Sequence, residues 1–190
     1  MYFLYKLFFN NLNWIILKPK IKAIKLVVFD VDGVLTDGKL FTNKNGEVSK
    51  SFNAKDGLGI KLIKKIGIKV AFISGANHEA TVYRARQLNI DECEVGIKNK
   101  KESLFFIQKK LRVKKMETAY VGDDINDLVV KNHVGLFFAP RDASKFVIKK
   151  ADICLSKNGG DGAARELCEK LFSYKSSLDN LKFGFNQQND

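Results

Sequence analysis

Proline is scarce: Pro19 and Pro140 are the only two in 190 residues. No proline-rich linker divides the chain, which has the length of one domain with some excess. Cysteine is scarce too. Cys93, Cys154 and Cys168 are odd in number and lack metal-type spacing, which excludes a disulfide scaffold and predicts a reduced, cytoplasmic setting. Cys154, between Ile153 and Leu155, reads as a small hydrophobe. Acid is in deficit, with 21 acidic against 33 basic residues and a formal charge of +12. The lysines are scattered over predicted helix faces with no interleaved aromatics, so a nucleic-acid partner is not expected. No fixed-period repeat occurs. No apolar run approaches the ~20 residues a membrane span needs. Met1–Leu17 comes nearest, but Lys6, Asn10, Asn11 and Asn13 interrupt it, and no small-residue cleavage site follows. We expect residues 1–23 to be an amphipathic leader packed on the domain or on a neighbouring subunit, with weak membrane-surface contact as the alternative.

What is present is concentrated in Lys25–Gly38, KLVVFDVDGVLTDG. Leu26-Val27-Val28-Phe29 predicts a strand buried on both faces, as in a parallel sheet. Asp30 and Asp32 follow at once. Ligand crevices of open parallel sheets lie beyond the carboxyl ends of the strands. Alternation along a strand predicts that the two carboxylates point the same way with Val31 turned away. Such a pair suits a divalent metal, or a division of nucleophile and acid/base roles.

Along the rest of the chain, Leu40–Thr42 and Val48–Phe52 flank an Asn45-Gly46 turn and predict a β-hairpin over about 39–52. A helix follows with Ile60, Leu62, Ile63 and Ile66 at helical spacing, ended by Gly67. Lys69–Ile73 is a second core strand, ending at Ser74-Gly75. Asn77 is placed to cap a helix over 78–88 and Asn99 one running through Leu104 and Leu111. A weak strand over 90–96 lies between them. Thr118–Val121 is a strand ending at Gly122-Asp123-Asp124, and a short helix covers 125–131. Strands over 134–138 and 151–155 bracket a helix near 141–149. Gly159-Gly160-Asp161-Gly162 opens a final helix over 163–172, followed by a polar tail, 174–190. Alternating strands and helices predict an α/β domain over 24–173, a Rossmann-like parallel sheet with helices on both faces.

Three of the predicted strand ends carry Asp30 with Asp32, Ser74, and Asp123 with Asp124. The basic loop Lys98–Lys101 lies between the second and third. Converging carboxylates repel and favour a hard divalent cation with oxygen ligands. Lysine and serine beside them suit an anion such as phosphate. In this order, Asp30–Gly38, Ser74-Gly75, Lys100 and Gly122–Asp127 resemble the four motifs of the haloacid dehalogenase superfamily of phosphohydrolases, over about residues 24–173. The hairpin directly after the first motif, the segment Phe52–Ile60 and the run Gly159–Glu166 are similar to the branch without a large cap domain. Within it they most resemble 3-deoxy-D-manno-octulosonate 8-phosphate (KDO 8-phosphate) phosphatases.

The resemblance implies a Mg²⁺-dependent phosphatase of a sugar-acid phosphate acting through an aspartyl-phosphate. Asp30 is then the nucleophile and Asp32 the acid/base, with Mg²⁺ held by the carboxylates of Asp30 and Asp123 and the backbone carbonyl of Asp32. Ser74, Gly75 and Lys100 hold the phosphoryl group, Lys100 being favoured over Lys98 and Lys101. Phosphate, Asp30 and Asp123 supply about four negative charges against about three positive from Mg²⁺ and Lys100, near balance only with both cations present. The resemblance also implies a homotetramer assembled by the hairpins, with a neighbour's tail helping to close the site. Roles left open are Asp124 and Asp127 (helix N-terminal acids, or Asp127 supporting the metal ligands), Thr36 and Asp37 (turn or entrance), and Asp56 (helix N-cap or substrate contact). His78, His133 and Arg165 are expected to be non-catalytic. Two departures touch the sugar: Ala76 and Asp161 stand where this family commonly has arginine. A phosphatase for sialic-acid-type 9-phosphates and a non-catalytic module of the same fold are the rival readings.

Overall fold

The computed structural model describes residues 12–176. Its centre is a six-stranded parallel sheet in the order β5-β4-β1-β6-β7-β8. The strands are β1 (Leu26–Asp30), β4 (Lys69–Ile73), β5 (Glu92–Glu94), β6 (Thr118–Val121), β7 (Leu136–Ala139) and β8 (Ile153–Cys154). β1 pairs in parallel with β4 on one side and β6 on the other. All five of its residues are buried, as its unbroken apolar run predicts.

Each face of the sheet has its own core. Val27 and Phe29 face a layer containing Ile21, Ile60, Ile63, Leu167 and Leu171. These come from α1 (Lys18–Ala23), α2 (Ala54–Lys65) and α6 (Ala163–Lys175), with α3 (Glu79–Gln87) at its edge through Ala85. Leu26 and Val28 face the opposite layer, where Leu104 and Ile107 of α4 (Lys100–Leu111) join Val147 of α5 (Lys145–Lys150) and Val130. Val130 belongs to a 3-10 helix, Ile125–His133. Strand alternation thus sends neighbouring residues of β1 into different layers.

The hairpin is the pair β2 (Phe41–Thr42) and β3 (Val48–Ser49), a separate two-stranded sheet. Only Gly46 of the Asn-Gly turn adopts positive φ, at +80°. Asn43 organises the turn, its Oδ1 accepting from the N–H groups of Asn45 and Glu47. Among the described residues the hairpin is the only insertion between β1 and α2, and no cap domain is present.

Several expected boundaries move. Asn53 caps α2, accepting from Lys55 N–H, so the helix begins six residues before Ile60 and contains Gly57 and Gly59. Asp56 is therefore inside the helix and not its N-cap. The glycines persist there because helices pack closely around them. A Cβ on Gly59 would lie 3.1 Å from Arg165 Cα and 3.1 Å from Cys168 Cβ on α6. His78, not Asn77, occupies the N-cap of α3, without a side-chain cap bond. α5 starts only at Lys145, capped by Ser144. α6 continues to Lys175, because Tyr174 at its end stacks on Trp14 at 6.4 Å. Of the leader and tail, residues 1–11 and 177–190 lie outside the described residues.

Phe72 is fully buried on β4 and meets Phe29 edge-to-face at 6.4 Å. Phe72→Ala is expected to cost about 3–5 kcal/mol of unfolding free energy, measured by urea denaturation. A loss below about 1 kcal/mol would mean that this layer is not close-packed.

Candidate active site

The carboxyl ends of β1, β4 and β6 place their polar residues together. Asp30 is the last residue of β1 and is 4% exposed. The chain then leaves the strand in a tight turn, with the N–H groups of Leu35 and Thr36 both donating to Val31 O. Strand alternation consequently ends at Asp30 and does not reach Asp32. The two carboxylates meet different lysines. Asp30 Oδ1 accepts from Lys100 Nζ at 2.7 Å. Asp32 accepts from Lys50 Nζ through both oxygens, at 2.7 and 2.8 Å. The two carboxylates thus have separate lysine partners.

Lys100, the first residue of α4, is 5% exposed and bridges Asp30 and Asp127, each at 2.7 Å. Asn99 caps that helix with its side-chain oxygen on Glu102 N–H and so fixes where Lys100 emerges. Asp127 is completely buried and collects donors. Tyr120 Oη donates to its Oδ1 at 2.7 Å, and the N–H groups of Asp123 and Asp124 donate to its Oδ2. One oxygen each from Asp30, Asp123 and Asp127 lies within 4.8 Å of the others. Two glycines make the room. A Cβ on Gly33 would collide with Asp123 Oδ2, and one on Gly122 would sit 2.5 Å from Asp127 Cγ.

The electrostatics follow from this crowding. Burial, then Asp127, hold the Asp30 carboxyl well above the usual carboxylate range, against the opposing pull of Lys100. Burial, then Asp127 and Asp124, push Asp123 up to about 7. Burial alone would lower the Lys100 ammonium, but Asp30 and Asp127 outweigh it and raise its proton affinity. Burial and then Asp127 hold the Tyr120 phenol protonated, so it stays a donor. Three carboxylates around one ammonium leave an excess of negative charge, and their oxygens are all hard donors. The cluster therefore fits a divalent cation of the Mg²⁺ type.

The other expected residues fall into place around it. Ser74 is buried immediately after β4, with Ala76 N–H donating to its hydroxyl oxygen at 3.2 Å. Gly75 is exposed beside it, and a Cβ there would meet only Ile97 O, at 3.8 Å. Asp124 is exposed and caps the 3-10 helix through Ile125 N–H. Thr36 is fully buried inside the turn, donating to Val31 O and accepting from Gly38 N–H. It is a turn residue and does not line an entrance. Asp56 accepts from Arg165 N–H at 2.7 Å at the start of α6, and burial raises its pKa. The Arg165 side chain pairs with Glu169. Asp161 is exposed in the glycine loop. That loop lies on the acidic turn: a Cβ on Gly159 would collide with Gly33 O, and one on Gly160 would sit 2.5 Å from Asp37 N.

Sequence reasoning missed Lys50 and Tyr120. Tyr120 had a weak signal, a hydroxyl within a buried strand. Lys50 had none beyond its place where the hairpin returns to the domain, yet its side chain is fully buried against Asp32.

Models of the haloacid dehalogenase-like hydrolase family match residues 55–130 and 94–167. The 3-deoxy-D-manno-octulosonate 8-phosphate phosphatase KdsC of Haemophilus influenzae is 39% identical over 171 residues, covering 89% of this chain and 95% of that protein. The chain belongs to the haloacid dehalogenase-like hydrolases. Among solved structures, a probable YrbI family phosphatase of Pseudomonas syringae superposes with a TM-score of 0.83 at 41% identity, covering 86% of this chain and 93% of that one. The Moraxella catarrhalis 3-deoxy-D-manno-octulosonate 8-phosphate phosphatase, solved with magnesium, phosphate and KDO, gives 0.81 at 34% identity, covering 84% and 91%. This hydrolase is accordingly a phosphoric monoester hydrolase.

Three outcomes are expected of it. Between the ordinary carboxylate range and about 7, metal-free native protein binds more protons than unfolded chain through Asp123. Its stability should therefore fall as pH rises through that window, and divalent metal should reverse the loss. Metal affinity should rise with pH, by up to about tenfold per unit below pH 7, in calorimetric titrations with Mg²⁺. A pH-independent affinity would contradict the proton on the cluster. Lys50→Met should lower phosphatase turnover by about tenfold or more by releasing Asp32, while Lys44→Met at the exposed hairpin tip should not. Equal rates would show that the Lys50–Asp32 pair does not hold Asp32 for reaction.

Proposed function

We propose that the chain is a Mg²⁺-dependent phosphatase of a sugar-acid phosphate, hydrolysing KDO 8-phosphate to KDO and phosphate in lipopolysaccharide precursor synthesis. The observation that carries the reading is the buried Asp30–Lys100–Asp127 assembly with Asp123 beside it, joined to the similarity to KDO 8-phosphate phosphatases over most of the chain. Soluble, reduced cytoplasm is the setting that suits its three cysteines, none of them in a disulfide.

In this reading Asp30 is the nucleophile. Its carboxylate oxygen bonds to phosphorus as the bond from phosphorus to the sugar oxygen breaks, and Asp32 supplies the proton to that leaving oxygen. Asp32 then takes a proton from water, whose oxygen bonds to phosphorus as the Asp30–phosphorus bond breaks, restoring both carboxyl groups. Lys100 pulls Asp30 toward the ionised form that attack requires, a pull that a bound divalent cation would complete, and with Ser74 and Gly75 it holds phosphoryl oxygens. Asp30, Asp123 and the backbone carbonyl of Asp32 would hold Mg²⁺, with Asp127 beside them fixing Lys100. When bound, the metal supplies charge neutralisation for the phosphoryl group. Lys50 orients Asp32 from the hairpin.

The hairpin presents Leu40 and Phe41 more than half exposed. An exposed apolar pair on a small separate sheet suits burial against other copies, and we propose a homotetramer assembled there. Ala76 follows the Ser74-Gly75 corner without a charge, which keeps a sialic-acid-type 9-phosphate as the second substrate reading.

Asp30→Asn should abolish phosphate release, a loss of at least about 10³-fold, while circular dichroism and thermal unfolding show a folded protein. Retained turnover would rule out the covalent route. A panel of sugar phosphates, assayed with Mg²⁺ and with EDTA, decides the substrate. KDO 8-phosphate is expected to have the highest kcat/KM, with EDTA removing the activity, and preference for a 9-phosphate would reassign the sugar.

A further inference from the structure

The helical stretch 12–23 has two apolar sides and only one of them is covered. Trp14 is 4% exposed, packed on Phe138 at 5.7 Å and on Tyr174, and Ile21 is completely buried. On the opposite side Leu12, Ile15 and Ile16 are 44%, 67% and 62% exposed. At 100° per residue these three share one outward face, across the helix from Trp14 and Leu17. The docking of Trp14 makes this segment part of the domain, and it holds the outward apolar face in place on the surface.

The chemistry around that face is of one sign. Lys18, Lys20 and Lys22 follow it on α1 and are exposed. The first acidic residue of the chain is Asp30, and residues 1–11 carry five aromatic side chains, one lysine and no acid. A groove of about 480 Å³ opens beside the helix, lined by Lys22, Ile66, Tyr174, Lys175 and Ser176. Tyr174 ties the groove to the helix, stacking on Trp14 under the ammonium of Lys18. The nearby acids are engaged: Asp152, whose backbone carbonyl accepts from Asn13, pairs with Lys131, Glu117 with Lys25 and Glu169 with Arg165. Burial, then Lys25, lower the proton affinity of Lys175.

We propose that the N-terminal helix is an interfacial anchor that seats Leu12, Ile15 and Ile16 in the surface of a membrane containing anionic phospholipid, with the flanking lysines drawn to its phosphate headgroups. An apolar strip bordered by lysines, with no acid, is the composition that such surfaces bind. A second copy of this chain suits the face less well, because a symmetric contact would set lysine against lysine. No described helix is long and apolar enough to cross a membrane, and the association proposed is a peripheral one.

The test is sedimentation of the full-length protein with sucrose-loaded vesicles of phosphatidylcholine alone, or with about one-third phosphatidylglycerol. The anionic vesicles should bind at least about tenfold more protein, and raising NaCl to about 0.5 M should remove most of that difference. Leu12→Ser with Ile15→Ser and Ile16→Ser should cut binding about tenfold while hydrolysis of p-nitrophenyl phosphate is unchanged. Ile15→Trp with Ile16→Trp should strengthen it, a gain that no folding defect produces. The proposal is overturned by equal binding to both vesicle types or none to either. It is equally overturned if the serine variant binds undiminished, or if its light-scattering mass falls, which assigns the face to a second copy. If the serine variant does not fold, unchanged binding by the tryptophan variant overturns it alone.

Discussion

Three carboxylates around one buried ammonium set the terms for the rest of the structure. Asp30, Asp123 and Asp127 come from different points of the chain and are brought within reach of one another. Like charges at that spacing in a buried site repel strongly. Lys100 offsets part of this, and the cost of burying it is met only because both Asp30 and Asp127 accept from it. Tyr120 and two backbone N–H groups complete the ligation of Asp127. Gly33 and Gly122 are required at their positions because the space a Cβ would need is filled by the carboxylates of Asp123 and Asp127. The sheet order places β1 between β4 and β6, which is the arrangement that lets all these groups converge.

The two aspartates of the first motif are held by different parts of the fold. Asp30 belongs to the rigid end of a central strand, whereas Asp32 is held by a lysine at the return of the hairpin. The Lys50–Asp32 ion pair is thus a direct contact between the hairpin's return and the acidic turn. This gives an inserted hairpin a direct route to the reacting groups without a cap domain.

Much of this was readable in the residues. The apolar run of β1, the Asn-Gly turn, the cap at Asn99 and the position of Lys100 at a helix start all act through local chemistry, and local chemistry is what sequence patterns record. The misreadings arose where tertiary packing decided. Asp56 was left between a helix N-cap and a substrate contact, but Asn53 begins that helix earlier and Asp56 accepts from the backbone at the start of α6. Gly57 and Gly59 lower helix propensity, yet they sit inside α2 because α3 and α6 side chains press against them. Strand alternation was extended from Asp30 to Asp32, but the turn at Val31 ends the strand at Asp30. Lys50 is one of many lysines, and nothing local distinguishes the one that is buried against Asp32.

The lodging of the glycine loop on the acidic turn bears on how the site comes into being. Gly159 and Gly160 lie against the backbone of Gly33 and Thr36, roughly 125 residues earlier in the chain. A ribosome releases the acidic turn long before the segment that roofs it. Until the last strand and helix have emerged, the turn lacks its covering layer and the carboxylates lack a settled geometry. Reactive competence thus arrives with completion of the domain, and a partly synthesised or C-terminally clipped chain carries the acidic motif without a working site.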